Sequence, residues 1–358
     1  MNRRAPFILV VNPGSTSTKV AIFKGDKEVV SKNIEHPREE LAQFEGIIEQ
    51  KDYRRKLAER VVDKLGIKLS DMNIVVGRGG PLKPLEGGVY RVSEKMVKDI
   101  ESGKTQEQHS ANLGAVIAYE IASKIGAPAY IVDPISTDEM SPVAKLTGIP
   151  GIKRRSLTHA LNVKACARRY AREAGMNWLD LNIIVAHLGG GITVNAVKNG
   201  RIVDVSDARQ DGPIAPTAAG RVPGPELSRF IRNSNLTEKQ LVKFWFGKGG
   251  GVALTGTDNV RELLAKRSSG DKQAKLFIDA LTYGVAKEIG ALSTIFRGNV
   301  DASILTGDLA QSNELTEAIK RYVEFIAAVI IYPGEFEMEA LAEGGVRVWN
   351  GEEKEKTY

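Results

Sequence analysis

Two stretches half a chain apart follow one plan, and this repetition constrains the fold more than any single motif. Phe7–Val11, the small polar turn Asn12-Pro13-Gly14-Ser15-Thr16-Ser17-Thr18-Lys19 and Val20–Phe23 read as strand, turn and strand. Ile183-Ile184-Val185-Ala186-His187-Leu188 likewise enters Gly189-Gly190-Gly191 and leaves through Ile192-Thr193-Val194. A second turn follows each hairpin, Lys24-Gly25-Asp26 in one copy and Asn199-Gly200-Arg201 in the other. Gly14 and Gly189 are 175 residues apart, as are Gly25 and Gly200. Glycines holding register at half the chain length indicate a duplicated three-strand meander, one opening each of two domains.

The turns also carry chemistry. Gly14, Ser15 and Ser17 offer a phosphate backbone N–H groups without bulky side chains, hydroxyl donors and a nearby Lys19. The same residues favour ordinary turns, and a triple glycine serves equally as a plain tight turn. It is the second copy that favours function: two such turns facing one central cleft would hold a polyphosphate from both sides.

At 358 residues with 42% hydrophobic content, the chain can bury a large core and form two domains. No apolar run approaches the roughly 20 residues needed to span a bilayer. Met1-Asn2-Arg3-Arg4-Ala5-Pro6 passes into a strand without a signal peptide's apolar region, so a cytoplasmic protein without a membrane partner is expected. The single cysteine, Cys166, lies in a helical stretch and reads as a small packing residue. A net charge of +6 invites a nucleic-acid partner, yet the 44 acidic residues are interspersed with the basic ones. Lys153-Arg154-Arg155 and Arg168-Arg169 are short and lack interleaved aromatics, so no nucleic acid is expected. Surplus positive charge equally suits small anionic substrates.

Strand-like runs alternate with amphipathic helices, which indicates an α/β architecture. The first half predicts a helix over 38–65 with Leu57, Val61 and Leu65 on one face, then a strand at Asn73–Val76 and the loop Gly77–Arg91. A helix around Leu113, Ile117, Ile121 and Ile125 and a buried strand, Ala129–Val132, follow. Ser141–Gly151, with two prolines and two glycines, is the expected boundary between a domain of 1–150 plus 332–358 and one of 151–331. The second half predicts a helix at Asn162–Gly175, a Gly/Pro-rich loop at Asp211–Pro225 and a capping box at Thr237 and Gln240. A long helix then carries Phe277, Leu281, Val285 and Ile289, and Ala302–Leu305 is a strand. A helix over Glu314–Ile331, stopped by Pro333, leads to the acidic segment Glu335–Glu343.

Read together, these residues resemble the acetate and butyrate kinases, a family of the acetate-and-sugar-kinase, Hsp70 and actin superfamily. Asn12-Pro13-Gly14-Ser15-Thr16-Ser17-Thr18-Lys19 is similar to the family's first phosphate motif, and Ala186-His187-Leu188-Gly189-Gly190-Gly191 to its second. Ile304-Leu305-Thr306-Gly307 is similar to its adenosine motif. The length, Arg78-Gly79-Gly80, Lys83-Pro84-Leu85-Glu86-Gly87-Gly88 and Tyr332-Pro333-Gly334-Glu335 resemble the shorter butyrate kinase branch. The chain departs from the pattern at Asp308, where a second glycine is usual, and at Ala218, where the family's transition-state arginine is usual. Arg221, just beyond Gly220, is the candidate to take that arginine's role.

The resemblance implies two duplicated ribonuclease H-like domains of the actin-like ATPase type flanking a central cleft. It implies transfer of the γ-phosphoryl group of ATP to a short-chain carboxylate, giving an acyl phosphate and ADP, with Mg²⁺, in a homo-oligomer. A carboxylate is already ionised at neutral pH, so the nucleophile needs no general base. The difficulty is charge: an anion approaches a polyanion, and donors aimed at the equatorial oxygens should supply most of the acceleration. His159 and His187 match family histidines near the transferring group, with Asn12, Lys19, Arg221 and Asp133 completing the catalytic set. His109 matches a histidine near the acid, and His36, in a polar stretch, reads as surface.

Arg78 precedes two glycines that leave room for a ligand, and bidentate pairing with the acid or a structural ion pair are its two readings. Asp133 would organise water around Mg²⁺, assisted by Glu337, although Glu335 and Glu339 flank it. Gly189, Gly190 and Gly191 would admit the nucleotide phosphates, and Gly307 and Asp258 would lie near the nucleoside. Three alternatives stay open: another acid, a chaperone-like ATPase of the same superfamily, and a sugar kinase using Asp133 as base. A chaperone would need a further peptide-binding domain, and the chain stops soon after its last motif.

Overall fold

The computed structural model describes residues 4–64 and 66–358. They form two compact units, each with its own apolar core: residues up to Asp138 together with Phe336–Tyr358, and Glu139–Glu335. The division falls earlier than the Pro/Gly-rich stretch at 141–151. That stretch belongs to the second unit because Ser141 N–H donates to Val203 O and the Arg154 guanidinium bonds Ala144 O and Asp204.

The first unit holds β1 (Phe7–Pro13), β2 (Ser17–Lys24), β3 (Lys27–Glu35), β4 (Ile74–Arg78), β5 (Val89–Arg91) and β6 (Ala129–Val132), in the sheet order β3-β2-β1-β4-β6-β5. The second holds β7 (Asn182–Leu188), β8 (Ile192–Lys198), β9 (Arg201–Asp207), β10 (Ala302–Gly307) and β11 (Val329–Pro333), in the order β11-β10-β7-β8-β9. The five strands of the second sheet match five of the first, an antiparallel meander and then two parallel strands added at its first strand; β5, antiparallel to β6, is an extra edge strand of the first unit. The duplication expected from the glycine spacing is therefore architectural.

Its register is not constant. Pro13 pairs with Thr18 around a turn of four residues, whereas Leu188 pairs with Ile192 around three. The offset of 175 thus drops by one after the hairpin, and Gly25 corresponds to Asn199 rather than to Gly200. Asn199 and Gly200 both have positive φ, at 50° and 71°, as an Asn-Gly hairpin turn requires. Both second strands then slip register in the same region, at Ile22/Phe23 and at Ala196/Val197.

β1 and β4 are continuous apolar runs because both faces are covered. Leu9, Val11 and Val75 pack in the core with Leu113, Ile117 and Ile121 of the helix Leu113–Ile125. Ile8, Ile74 and Val76, on the opposite face by alternation, meet Gly345 of the helix Glu337–Asn350. In the second unit Ile184, Ala186 and Leu188 share a core with Phe277, Leu281 and Val285 of the helix Lys272–Ser293.

Two helix expectations are corrected. The segment 38–65 is a short helix at Arg38–Leu41, an irregular stretch containing Gly46, and a helix Lys51–Lys64; Leu65 lies outside the described residues. Its buried face runs through Arg54, Ala58, Val61 and Val62. The supposed helix Glu314–Ile331 ends at Val323, and Val329-Ile330-Ile331-Tyr332 continue as β11, paired in parallel with β10. A β-branched run beside an open strand edge overrides the helical period, and Pro333 closes a strand. Among the described residues no helix is long and apolar enough to cross a membrane.

β4 reaches Arg78 only because the sheet and a helix touch backbone to backbone. A Cβ on Gly77 would lie 1.9 Å from Gly114 O. Gly77→Ala should therefore lower the urea unfolding free energy by at least about 3 kcal/mol, the upper part of the usual overpacking range; an unchanged midpoint would mean that the helix yields freely.

Candidate active site

The strands carry several of the expected site residues to their C-terminal ends. In the first unit Asn12 is the last residue but one of β1, Arg78 ends β4 and Asp133 follows β6. The Glu337 carboxylate joins two of them: its Oε1 lies 2.7 Å from Arg78 Nη2, and its Oε2 accepts from Asn12 Nδ2 at 2.7 Å. Arg78 is buried, yet its Nη1 has no hydrogen-bond partner. Lys19 is exposed directly across the ladder from Asn12. The strands extend further into the first motif than expected, leaving Gly14, Ser15 and Thr16 as the turn between them.

Three readings of this unit change. The glycines after Arg78 leave no empty space, because a Cβ on Gly79 would meet Pro134 at 2.6 Å and one on Gly80 would meet Asn112 Oδ1 at 2.1 Å. Asp133 is fully buried with φ of 37°, and its Oδ1 accepts from Gly88 N–H at 2.7 Å. His36 is not a surface residue: it is 3% exposed and its Nε2 lies 2.8 Å from Thr18 Oγ1. His109 Nδ1 accepts from Ala111 N–H, capping the turn that leads into the helix Leu113–Ile125.

In the second unit His159 and His187 meet. Their rings stack with centroids 3.7 Å apart and planes 12° from parallel. Asn162 donates its amide to His187 Nδ1 at 3.0 Å, which assigns the ring proton to Nε2, 3.5 Å from Glu335 Oε1. His159 stands at the N-terminal end of the helix Ala160–Ala174, its Nδ1 3.3 Å from Thr193 Oγ1. The turn of Gly189, Gly190 and Gly191 is closed by Gly189 N–H to Gly191 O, and Thr217 binds Gly190 O through both N–H and hydroxyl.

Arg221 is not brought to this cluster by any contact. Its guanidinium is tied to Glu288 at 3.2 Å and to Asp211 O. Arg209 has contacts beside this cluster: it donates to Leu157 O, pairs with Asp207 and lies over the Phe246 ring at 5.3 Å. Phe246 in turn lies 3.3 Å from where a Cβ of Gly191 would stand. Gly307 is required by packing, since at φ of 92° its Cβ would lie 2.4 Å from Leu188 O. Beyond it a cavity of 380 Å³ is lined by Asp308, Leu309, Val260 and Arg261, and Asp258 is exposed two residues before that wall. Ala218 is fully buried.

Sequence reasoning missed Arg54, Asn162, Arg209 and Glu335 as contributors. Glu335 alone had a signal, as a neighbour of Glu337; the others depend on which face of an element is buried.

Solved structures share this architecture. Acetate kinase from Porphyromonas gingivalis superposes with a TM-score of 0.77 at 17% identity, covering 96% of this chain and 99% of that one. A propionate kinase from Francisella tularensis subsp. tularensis gives 0.72 at 18% identity, covering 95% and 98%. The class is thus the two-domain actin-like ATPase fold of the acetate kinases. The profile of the acetokinase family matches residues 145–330. Butyrate kinases 1 and 2 of Clostridium acetobutylicum are each 45% identical over 352 residues, covering 98% of this chain and 99% of theirs. The chain belongs to the acetokinase family.

Burial, then the Arg54 charge, hold the His36 imidazole below its ordinary value of 6.5. Below pH 6.5 the unfolded chain therefore takes up a proton that the folded one refuses. The unfolding free energy should fall as pH drops through this window, and less steeply in His36→Asn. An identical slope in the variant would place the effect on other groups.

Proposed function

We propose that the protein transfers the γ-phosphoryl group of ATP to a short-chain fatty acid, butanoate or a close relative, giving the acyl phosphate and ADP. The observation that carries this reading is Arg78. A buried guanidinium nitrogen without a partner costs free energy. A substrate carboxylate would satisfy it while Glu337 holds the other nitrogen of the fork. The relatives named butyrate kinase support the same substrate class.

The acid attacks as its anion, so no residue need remove a proton. This favours a carboxylate over a sugar, because Asp133, the candidate base for a hydroxyl, is sealed and already bonded to Gly88. His187, with Nε2–H fixed by Asn162, and the stacked His159 would donate to oxygens of the transferring group. Arg209 is a better placed cation than Arg221 for this part of the second unit. The turns at Gly14–Thr16 and Gly189–Gly191 would hold nucleotide phosphates, and the cavity beside Asp308 the nucleoside.

Magnesium fits this donor set only as an ion carried by the nucleotide. Among the described residues no group of three or more His, Cys, Asp or Glu is placed to hold a metal. Asp133 and Glu337 are each engaged by protein donors, leaving contact through water as their contribution. When bound, the ion neutralises phosphate charge.

Incubation with ATP, Mg²⁺, hydroxylamine and a panel of two- to five-carbon acids should yield acyl hydroxamate, strongest with a four-carbon acid. No product with any acid, or ATP turnover indifferent to acid, would remove the proposal; turnover on a sugar panel would replace it. Arg78→Met should raise KM for the acid by about tenfold or more, the loss of a charge-assisted pair, while KM for ATP changes by less than about threefold. Equal changes in both would contradict the assignment.

A further inference from the structure

Among the described residues the largest fully buried side chain is a cation that no carboxylate neutralises. Arg54 is 0% exposed, on the buried face of the helix Lys51–Lys64. Its Nε and Nη2 bind the neutral Gln50 side chain at 3.1 and 2.9 Å. Its remaining donors all go to the first phosphate turn. Nη1 donates to Gly14 O and Ser17 O, each at 2.9 Å, and to Thr18 Oγ1 at 3.0 Å, while Nη2 donates to Ser15 O at 3.2 Å. The one carbonyl of the turn that Arg54 leaves, Thr16 O, accepts from His36 N–H at 2.7 Å.

Peptide geometry turns this into a statement about the opposite side of the loop. In a trans peptide the carbonyl of one residue and the N–H of the next point in opposite directions, and the described residues contain no cis bond. With Gly14 O and Ser15 O drawn back onto the guanidinium, the N–H groups of Ser15 and Thr16 face away from it. Among the described residues neither of these amides finds an acceptor. Burying an ionised group without an opposite charge is costly. Burial lowers the Arg54 guanidinium to about 10, which still leaves it charged at neutral pH. The Thr18 hydroxyl, His36 and Tyr53 continue the network behind it without adding a carboxylate until Glu40, which accepts from Tyr53.

We propose that Arg54 is a positioning residue for the nucleotide's phosphates: it fixes the turn with its amides outward and leaves it with one unneutralised positive charge, to be balanced by the bound polyphosphate. The proposal rests on the kinase reading, but the residue acts on the nucleotide and not on the acid. Lysine would keep the charge and lose the fork that spans three carbonyls; methionine would lose both.

The test uses the full chain. ADP affinity is measured by calorimetry for wild type, Arg54→Lys and Arg54→Met, with KM for ATP and for butanoate and with urea unfolding as a check of folding. ADP affinity and KM for ATP should worsen about tenfold in Arg54→Lys and about a hundredfold in Arg54→Met, in keeping with lost charge-assisted hydrogen bonds. KM for butanoate should stay within about threefold of wild type, because acid and nucleotide contacts are separate. A residue that merely supported the fold would lower the urea midpoint and move both KM values together. Should Arg54→Met fail to fold, Arg54→Lys decides: ADP affinity equal to wild type overturns the proposal. Wild-type ADP binding without hydroxamate formation would instead remove the kinase reading and leave Arg54 in place.

Discussion

Parallel pairing is the constraint from which the site follows in each unit. β4 and β6 lie parallel to β1, and β10 and β11 lie parallel to β7, so the C-terminal ends of those strands share one edge of their sheet. Asn12, Arg78 and Asp133 leave from that edge in the first unit; His187, Gly307 and Glu335 leave from it in the second. Parallel strands need crossover helices, and the helices cover both faces, which is why these strands are mostly apolar. Most polar side chains of these strands then occur where the strands end. The candidate site residues lie there because most of the rest of each strand is buried.

Much of this was legible. An apolar strand, a small-residue turn and a second apolar strand, found twice at half-chain spacing, predict two related domains, and the matching strand orders are that relation in three dimensions. Periodicity also placed the helix Leu113–Ile125 and the strand Ala129–Val132. The failures have physical causes. The slip from 175 arises because a hairpin loop can lose one residue and still close, which shifts everything after it. Val329–Tyr332 read as the end of a helix because an apolar run has no period of its own; only the free edge of β10 decides its conformation. Gly79 and Gly80 read as room for a ligand, when the neighbouring chain at Asn112 and Pro134 fills that room.

The pairing of charges was least legible of all. A sequence shows that Arg54, Arg78 and Arg221 are cations, but not which of them has a counter-ion. Arg221 is paired with Glu288, and Arg78 shares its fork between Glu337 and nothing; Arg54 has only neutral oxygens. Pairing decides what a cation can do. A neutralised guanidinium braces the chain, while an incompletely neutralised one creates a favourable potential for an anion. His36 belongs to the same account: a polar neighbourhood in sequence concealed a ring packed between Thr18 and Tyr53, where a second positive charge beside Arg54 is disfavoured.

The histidine pair in the second unit is held in a fixed orientation. Asn162 can donate to His187 Nδ1 because the same amide also reaches Thr306 Oγ1 at 3.2 Å, on the neighbouring parallel strand. The side chain that sets the tautomer is thus fixed by the strand pairing that built the site. A His187 held with its proton on Nε2 offers a hydrogen bond without first acquiring a charge, and stacking against His159 limits rotation of both rings. A donor already aimed needs little reorganisation when charge spreads over a transferring phosphoryl group. Acid-base chemistry is unnecessary where the nucleophile is an anion, so fixed direction is the property that these two rings can contribute.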